Sequence, residues 1–326
     1  MGKRRRGSED EAGYTTKRPR RGRLHLIVHD YAWGCTVYKL DVDAFQPDTG
    51  TGTDDHLKSR VRWLPHDGVA IRMASPDREQ CDQFVCTGSK IFAFYKDTDA
   101  GRSTMVYDSA TSQVAVCPPL LAPKVLAEFL TVGLDVYALE TELNDGYNSV
   151  CSMEKLGPVP DVAGVNGGGN PSTRRRSSCP SLGTFSFNTG CLTWTRHGSW
   201  LLPFHGEAYF VRELDAWVGL CSHKKGYISV CHVISPSPDD VDGRHRCPAW
   251  TSVQDRVYNN RWKRHLAASL TYMGNAVFCL LETITRKGDD IFTEFRTRTL
   301  LRLATFRVEH QRNDEFRAAN MRIMVY

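Results

Sequence analysis

A chain of 326 residues, 41% of them apolar and 24% charged, has the composition of a soluble globular body. No apolar run reaches the length of a membrane span: the best candidate, LLAPKVLAEFLTVGLDVYALE, is interrupted by Lys124, Glu128 and Asp135, so no membrane partner is expected. The net charge of +5 belongs to the N-terminus, where residues 1–23 hold nine Lys or Arg against three acids and leave the rest at −1; nucleic acid is therefore not expected as the main partner.

The first element is that tail. Residues 1–23 are almost free of apolar side chains and are expected to be disordered. Lys3, Arg4, Arg5 and Arg6 form one basic cluster, and after ten residues Lys17, Arg18, Pro19, Arg20 and Arg21 bring a second. Two basic clusters on an extended spacer have the form of a bipartite nuclear-import signal, and an import receptor is the partner it implies. Arg6 stands where a myristoylation signal needs Ser or Thr. The polar start has no secretory apolar region, and eleven cysteines, an odd number, read as reduced thiols of an intracellular reducing compartment. Cys86, Cys117, Cys231 and Cys279 sit in apolar runs and are expected to be buried. The expected location is nuclear or nucleocytoplasmic.

From residue 24 the chain reads as a single strand-rich domain over 24–326. LHLIVHD (24–30) and TVYKLDVD (36–43) alternate with the period of two that a half-buried strand requires. FVCTGSKIFAF (84–94) places two short apolar strands around Gly88, FLTVGLDVYAL (129–139) repeats this around Gly133, and LTYMGNAVFCL (270–280) around Gly274. YFVRELDAWVGL (209–220) is a degenerate copy with Leu214-Asp215 in the glycine's place. A later pair of strands also recurs, as MVYDSATSQVAVC and FSFNTGCLTW. Their Asp108 and Asn188 suit a turn because each side chain can accept the turn's own backbone N–H groups. Between Gly133 and Asn188 the stretch 156–181, rich in Gly, Pro, Ser and Arg, has the composition of a flexible loop inserted ahead of that hairpin.

A sheet of four short strands cannot cover both its faces, so such a unit must recur and stack around an axis. The spacing of 45 between Gly88 and Gly133 fits one blade. The text parses into units near 24–75, 80–122, 125–202, 205–252 and 263–326, with a sixth left open. The fold class is all-β, a propeller of five to six four-stranded blades. A β-sandwich would explain the strands but not the repeat. The C-terminal RIMVY is expected to close the ring beside LHLIVHD.

The segments LHLIVHDYAWGCTVYKLDVD, STMVYDSATSQVAVCPPL, FSFNTGCLTW, GSWLLPFHGEAYFVRELDAWVGLC and RHLAASLTYMGNAVFCLLE resemble a family of uncharacterised proteins from cereal grasses. The resemblance spans nearly the whole body and implies a kelch-like or galactose-oxidase-like β-propeller of plant origin, with no activity attached. Single glycines stand where a kelch blade has a Gly-Gly pair, and the copper ligands of galactose oxidase match no positions here.

Chemistry-bearing motifs are sparse. Ser177 and Ser178 follow Arg174, Arg175 and Arg176 as a basophilic kinase site would, and are candidate phosphorylation sites. Cys221, His223, Cys231, His232, His245 and Cys247 invite a zinc reading but lack knuckle spacing, and Cys81 and Cys86 are too far apart for one. Asp97, Asp99, Gly101 and Asp108 mimic a calcium loop without its glutamate. No nucleophile elbow, HExxH or P-loop occurs, and Asp239, Asp240 and Asp242 lie in a Pro/Ser-rich turn. Trp194, Trp217 and Trp250 read as packing between blades. No catalytic or metal residue and no cofactor is assigned. The expectation is a non-catalytic interaction propeller with a protein partner on one face, the alternative being a sugar-active or other enzyme with a site in the funnel.

Overall fold

The computed structural model describes residues 23–30, 34–47, 61–73, 81–95, 97–98, 104–117, 120–121, 124–125, 127–143, 148–156, 173–180, 183–232, 247–258, 265–285, 299–311 and 315–326. These residues form antiparallel strands with three short 3₁₀ turns. None of their helices is long and apolar enough to cross a membrane. The import clusters Lys3–Arg6 and Lys17–Arg21 lie outside them.

Five sheets make a five-bladed β-propeller. Blade 1 pairs Arg23–Asp30, Gly34–Asp41 and Val69–Met73, and blade 2 pairs Cys81–Thr87, Lys90–Tyr95, Thr104–Asp108 and Gln113–Cys117. Blade 3 pairs Glu128–Val132, Asp135–Leu143, Asn148–Lys155 and Thr173–Pro180. Blade 4 pairs Phe204–Val211, Ala216–Cys221, Ile228–His232 and Trp250–Ser252. Blade 5 pairs His265–Gly274, Val277–Thr285, Thr299–His310 and Phe316–Val325, with Gln46–Pro47 added outside. The five blades fall in the five units read from the repeat, except that the second hairpin of the third unit stands apart and Gln46–Pro47 of the first unit joins blade 5.

The turn chemistry explains why the text repeats. Gly88 (φ +59°) and Gly133 (φ +64°) each open a two-residue turn, and a positive φ at that position matches the strand twist. Asp215 takes φ +46° in the degenerate copy, one of the few side chains that tolerates the left-handed region. The second hairpin is also built twice. Asp108 Oδ1 accepts the Ala110 N–H at 2.9 Å, while Asn188 Oδ1 accepts those of Gly190 at 2.9 Å and Cys191 at 3.1 Å. Each turn then ends on a left-handed residue, Ser112 and Leu192.

Period two sends alternate residues of a middle strand to opposite neighbours, so the strand is apolar on both faces. In Lys90–Tyr95, Phe92 and Phe94 pack toward blade 3, Phe94 stacking on Phe129 with ring centroids 3.6 Å apart. Ile91 and Ala93 pack toward blade 1. In Val277–Thr285, Phe278 and Leu280 face blade 4 while Cys279 and Leu281 face blade 1. Apolar clusters of this kind join blades 4 and 5, 5 and 1, 1 and 2, and 2 and 3. No such cluster of described residues joins blade 3 to blade 4.

Three expectations are corrected. The connection read over 156–181 contains a strand: Thr173–Pro180 pairs residue by residue with Asn148–Lys155. That pairing fills the edge beside Asp135–Leu143, so the hairpin Thr184–Asn188/Thr193–Gly198 forms its own two-stranded sheet instead of completing blade 3. Closure does not use LHLIVHD, which pairs with Gly34–Asp41. The C-terminal strand is held instead by Gln46–Pro47 and by the Arg62 N–H, which donates to the Val325 carbonyl at 2.9 Å.

Candidate functional site

The first strands of blades 2 and 3 touch each other, as do those of blades 4 and 5. Thr87 Oγ1 donates to the Gly133 carbonyl at 3.0 Å, the Phe129 N–H to Gln83 Oε1 at 3.2 Å, and Tyr209 Oη to the Leu270 carbonyl at 2.9 Å. Tyr209 Oη also hydrogen-bonds the Glu207 carboxylate. Burial, then the Glu207 contact, push the Tyr209 phenol well above its ordinary range. Cys86 is raised in the same way, first by desolvation and then by Glu207. Its residue nonetheless reaches solvent, against the expectation of full burial, whereas Cys117 and Cys231 (both pushed to about 11) and Cys279 (to about 12) are buried thiols.

Blade 4 presents a second feature. Its registers place Phe210 opposite Trp217, Trp217 opposite Cys231 and Cys231 opposite Trp250, so these four share one face across all four strands. The other face, with Val218 and Val230, is packed against blade 5. Phe210, Trp217 and Trp250 remain 37%, 40% and 40% exposed, which corrects the expectation that both tryptophans are buried between blades. Phe210 and Trp217 meet at a 5.7 Å ring separation. Between the aromatics the sheet carries small residues: Gly219, Ser229 and Cys231, the last two fully buried. Trp194 packs instead on Phe187 within the separate hairpin, with ring centroids 4.9 Å apart.

The loop after Ala216–Cys221 continues this surface. His223 stacks on Trp250 at 5.2 Å. Lys224 Nζ sits 3.6 Å from the centroid of Tyr227, and the Arg256 guanidinium lies 5.9 Å from the same ring. Beneath, Tyr258 stacks on His265 at 5.0 Å, and Arg302 Nη1 donates to Glu282 Oε2 at 3.3 Å in a cross-strand pair. Burial raises the Glu282 carboxyl, an effect that Arg302 opposes. Burial, then Lys225, lower the His265 imidazole.

The sequence candidates fall as follows. Cys221 Sγ accepts the Lys224 N–H at 3.2 Å, His223 stacks, and Cys231 is buried, while His245 lies outside the described residues. Among the described residues no three His, Cys, Asp or Glu converge as metal ligands. Asp108 spends its carboxylate on the turn, and Asp99, Gly101, Asp239, Asp240 and Asp242 are outside the described residues. Ser177 and Ser178 stand in a strand, opposite Cys151 and Val150, with their side chains outside the described residues. The blade 4 row and the Lys224–Arg256 pairing have no linear motif; only register and the return of residues 253–258 assemble them.

Fold and surface together define a five-bladed propeller with an aromatic and cationic fourth blade. The chain belongs to the family described as Protein of unknown function (DUF1668), whose model matches residues 21–182 and again residues 172–326. Comparison with curated proteins yields no match.

Proposed function

We propose that this propeller is a non-catalytic interaction module that enters the nucleus through Lys3–Arg6 and Lys17–Arg21 and docks a protein partner on blade 4. The kelch-like blade and the plant source implied by the sequence resemblance are the frame of this reading. One observation carries it: Phe210, Trp217 and Trp250 stand exposed in one row on a rigid sheet. Large aromatics on a rigid surface lose little entropy on binding and supply most of the energy at protein interfaces. Burial and Glu207 raise both the Cys86 thiol and the Tyr209 phenol, which disfavours the thiolate and phenolate forms that a nucleophile needs.

Two measurements test the two halves. Residues 1–23 fused to a fluorescent reporter should concentrate it in nuclei, and Lys17→Ala with Arg18→Ala should disperse it; an unmoved reporter refutes the import signal. The body captured on beads from plant nuclear extract should retain partners that a Trp217→Ala/Trp250→Ala body loses. An identical set of captured proteins would remove blade 4 as the docking face.

A further inference from the structure

The loop between the second and third strands of blade 4 is tied to the connection that leaves the blade. Gly226 adopts φ +90°, and its carbonyl accepts the Val257 N–H at 2.9 Å and the Tyr258 N–H at 3.4 Å. A Cβ at Gly226 would strike the Tyr258 carbonyl and the Arg256 side chain, so only glycine permits this approach. The consequence is a gathering of charge. Lys224 and Arg256 meet around Tyr227, with Arg256 Nε donating to the Tyr258 carbonyl at 3.1 Å, and Lys225 follows Lys224 in the same exposed loop, its charge acting on His265.

Among the described residues none of these three cations is paired with a carboxylate. The ion pairs among the described residues join Lys155 to Asp135, Arg302 to Glu282, and Arg317 to Glu309. Asp255, the acid next in sequence, accepts the Ala318 N–H at 2.8 Å instead. Glu282 is buried and engaged by Arg302. The His265 Nε2 atom, 3.9 Å from Glu282, makes no hydrogen bond. Like charges held together without counter-charge favour an anion, and three of them exceed what one carboxylate neutralises.

We infer that Lys224 and Arg256 over Tyr227, with the neighbouring Lys225, receive a phosphorylated side chain on an extended segment of the partner protein. A phosphate carries about −1.5 to −2 charges and three acceptor oxygens, matching two ammonium groups and one guanidinium edge. The segment is a peptide because His223 joins the cationic loop to the Trp250 end of the aromatic row, offering apolar anchorage beside the charge. The inference rests on the docking reading above and names the chemistry its partner must present.

Fluorescence anisotropy with the full chain tests it, using a degenerate peptide pool centred on phosphoserine, the same pool with Ser or with Glu there, and a single-stranded RNA. The phosphoserine pool should bind at least about tenfold tighter than either peptide control and tighter than the RNA. Lys224→Ala/Lys225→Ala should abolish that preference, as should Arg256→Ala. Because Arg256 also fixes the Tyr258 carbonyl, the exposed lysine pair decides. Equal binding of the Ser or Glu pool, tighter binding of the RNA, or a preference that survives the lysine substitutions overturns the inference. Trp217→Ala/Trp250→Ala should weaken every pool while leaving the phosphate preference in place. Failure of the phosphate preference with nuclear capture still dependent on the tryptophans overturns this inference alone.

Discussion

Asp108 shows how much one side chain contributes to the repeat. Its carboxylate accepts the Ala110 N–H, and that bond first, then the Ser89 hydroxyl, hold its pKa below the ordinary carboxylate value. A depressed carboxylate contributes stability above its unfolded pKa and loses it as pH falls through the folded value. The twin position is Asn188, which makes the same turn without a titrating group. Asp108→Asn should therefore keep the turn while flattening the loss of stability below about pH 4, and Asp108→Ala should cost about 1 kcal/mol near neutrality. Urea midpoints at neutral and acid pH check both; an acid limb unchanged in Asp108→Asn contradicts the assignment.

At the scale of the element, buried Glu282 and half-buried Arg302 join neighbouring strands of blade 5. Burial raises the Glu282 pKa and Arg302 draws it back, so ionisation inside the fold is tolerated only with the guanidinium in place. A raised carboxyl favours folding at low pH, and that contribution fades as pH rises through the folded value. Arg302→Met should destabilise by about 3–5 kcal/mol at neutral pH and recover in part on acidification, while Glu282→Gln/Arg302→Met should regain most of the loss. Equal losses in the single and double variants would show that packing of the Arg302 stem, not charge, is at stake. The elements themselves were legible to different depths. Hairpins around Gly88, Gly133 and Asp215 could be read because a left-handed turn residue restricts which side chains fit. The docking of Thr184–Gly198 could not, since its pattern parallels that of the blade 2 hairpin and only the strand Asn148–Lys155, occupying the shared edge, sends it elsewhere. Gln46–Pro47 is too short to leave a pattern. The candidate site was opaque for a related reason: Phe210, Trp217 and Trp250 become a row through register, and Arg256 reaches Tyr227 through the backbone freedom of Gly226.

Across the whole molecule, stability is distributed unevenly around the ring. Four blade junctions are filled by apolar clusters, and the C-terminal strand is held on blade 5 by the early segment Gln46–Pro47 and by the Arg62 N–H on the Val325 carbonyl at 2.9 Å. The hairpin Thr184–Gly198, between blades 3 and 4 in chain order, has no fully buried residue. Opening it exposes little apolar area, so its free-energy cost is small, whereas freeing Val277–Thr285 exposes Phe278 and Leu280 and requires loss of the packed ring. Native-state hydrogen exchange should therefore run fastest at 184–198, and slowest at 216–221, 228–232 and 277–285. Trp217→Ala, on the exposed row, should leave the slow set unchanged. Phe278→Ala should speed it everywhere by an amount matching about 3–5 kcal/mol. Uniform exchange around the ring, or slow exchange in the Thr184–Gly198 hairpin, would mean that the blades do not protect one another through these clusters, and the rigid platform on which the aromatic row and the cationic loop depend would be lost with them.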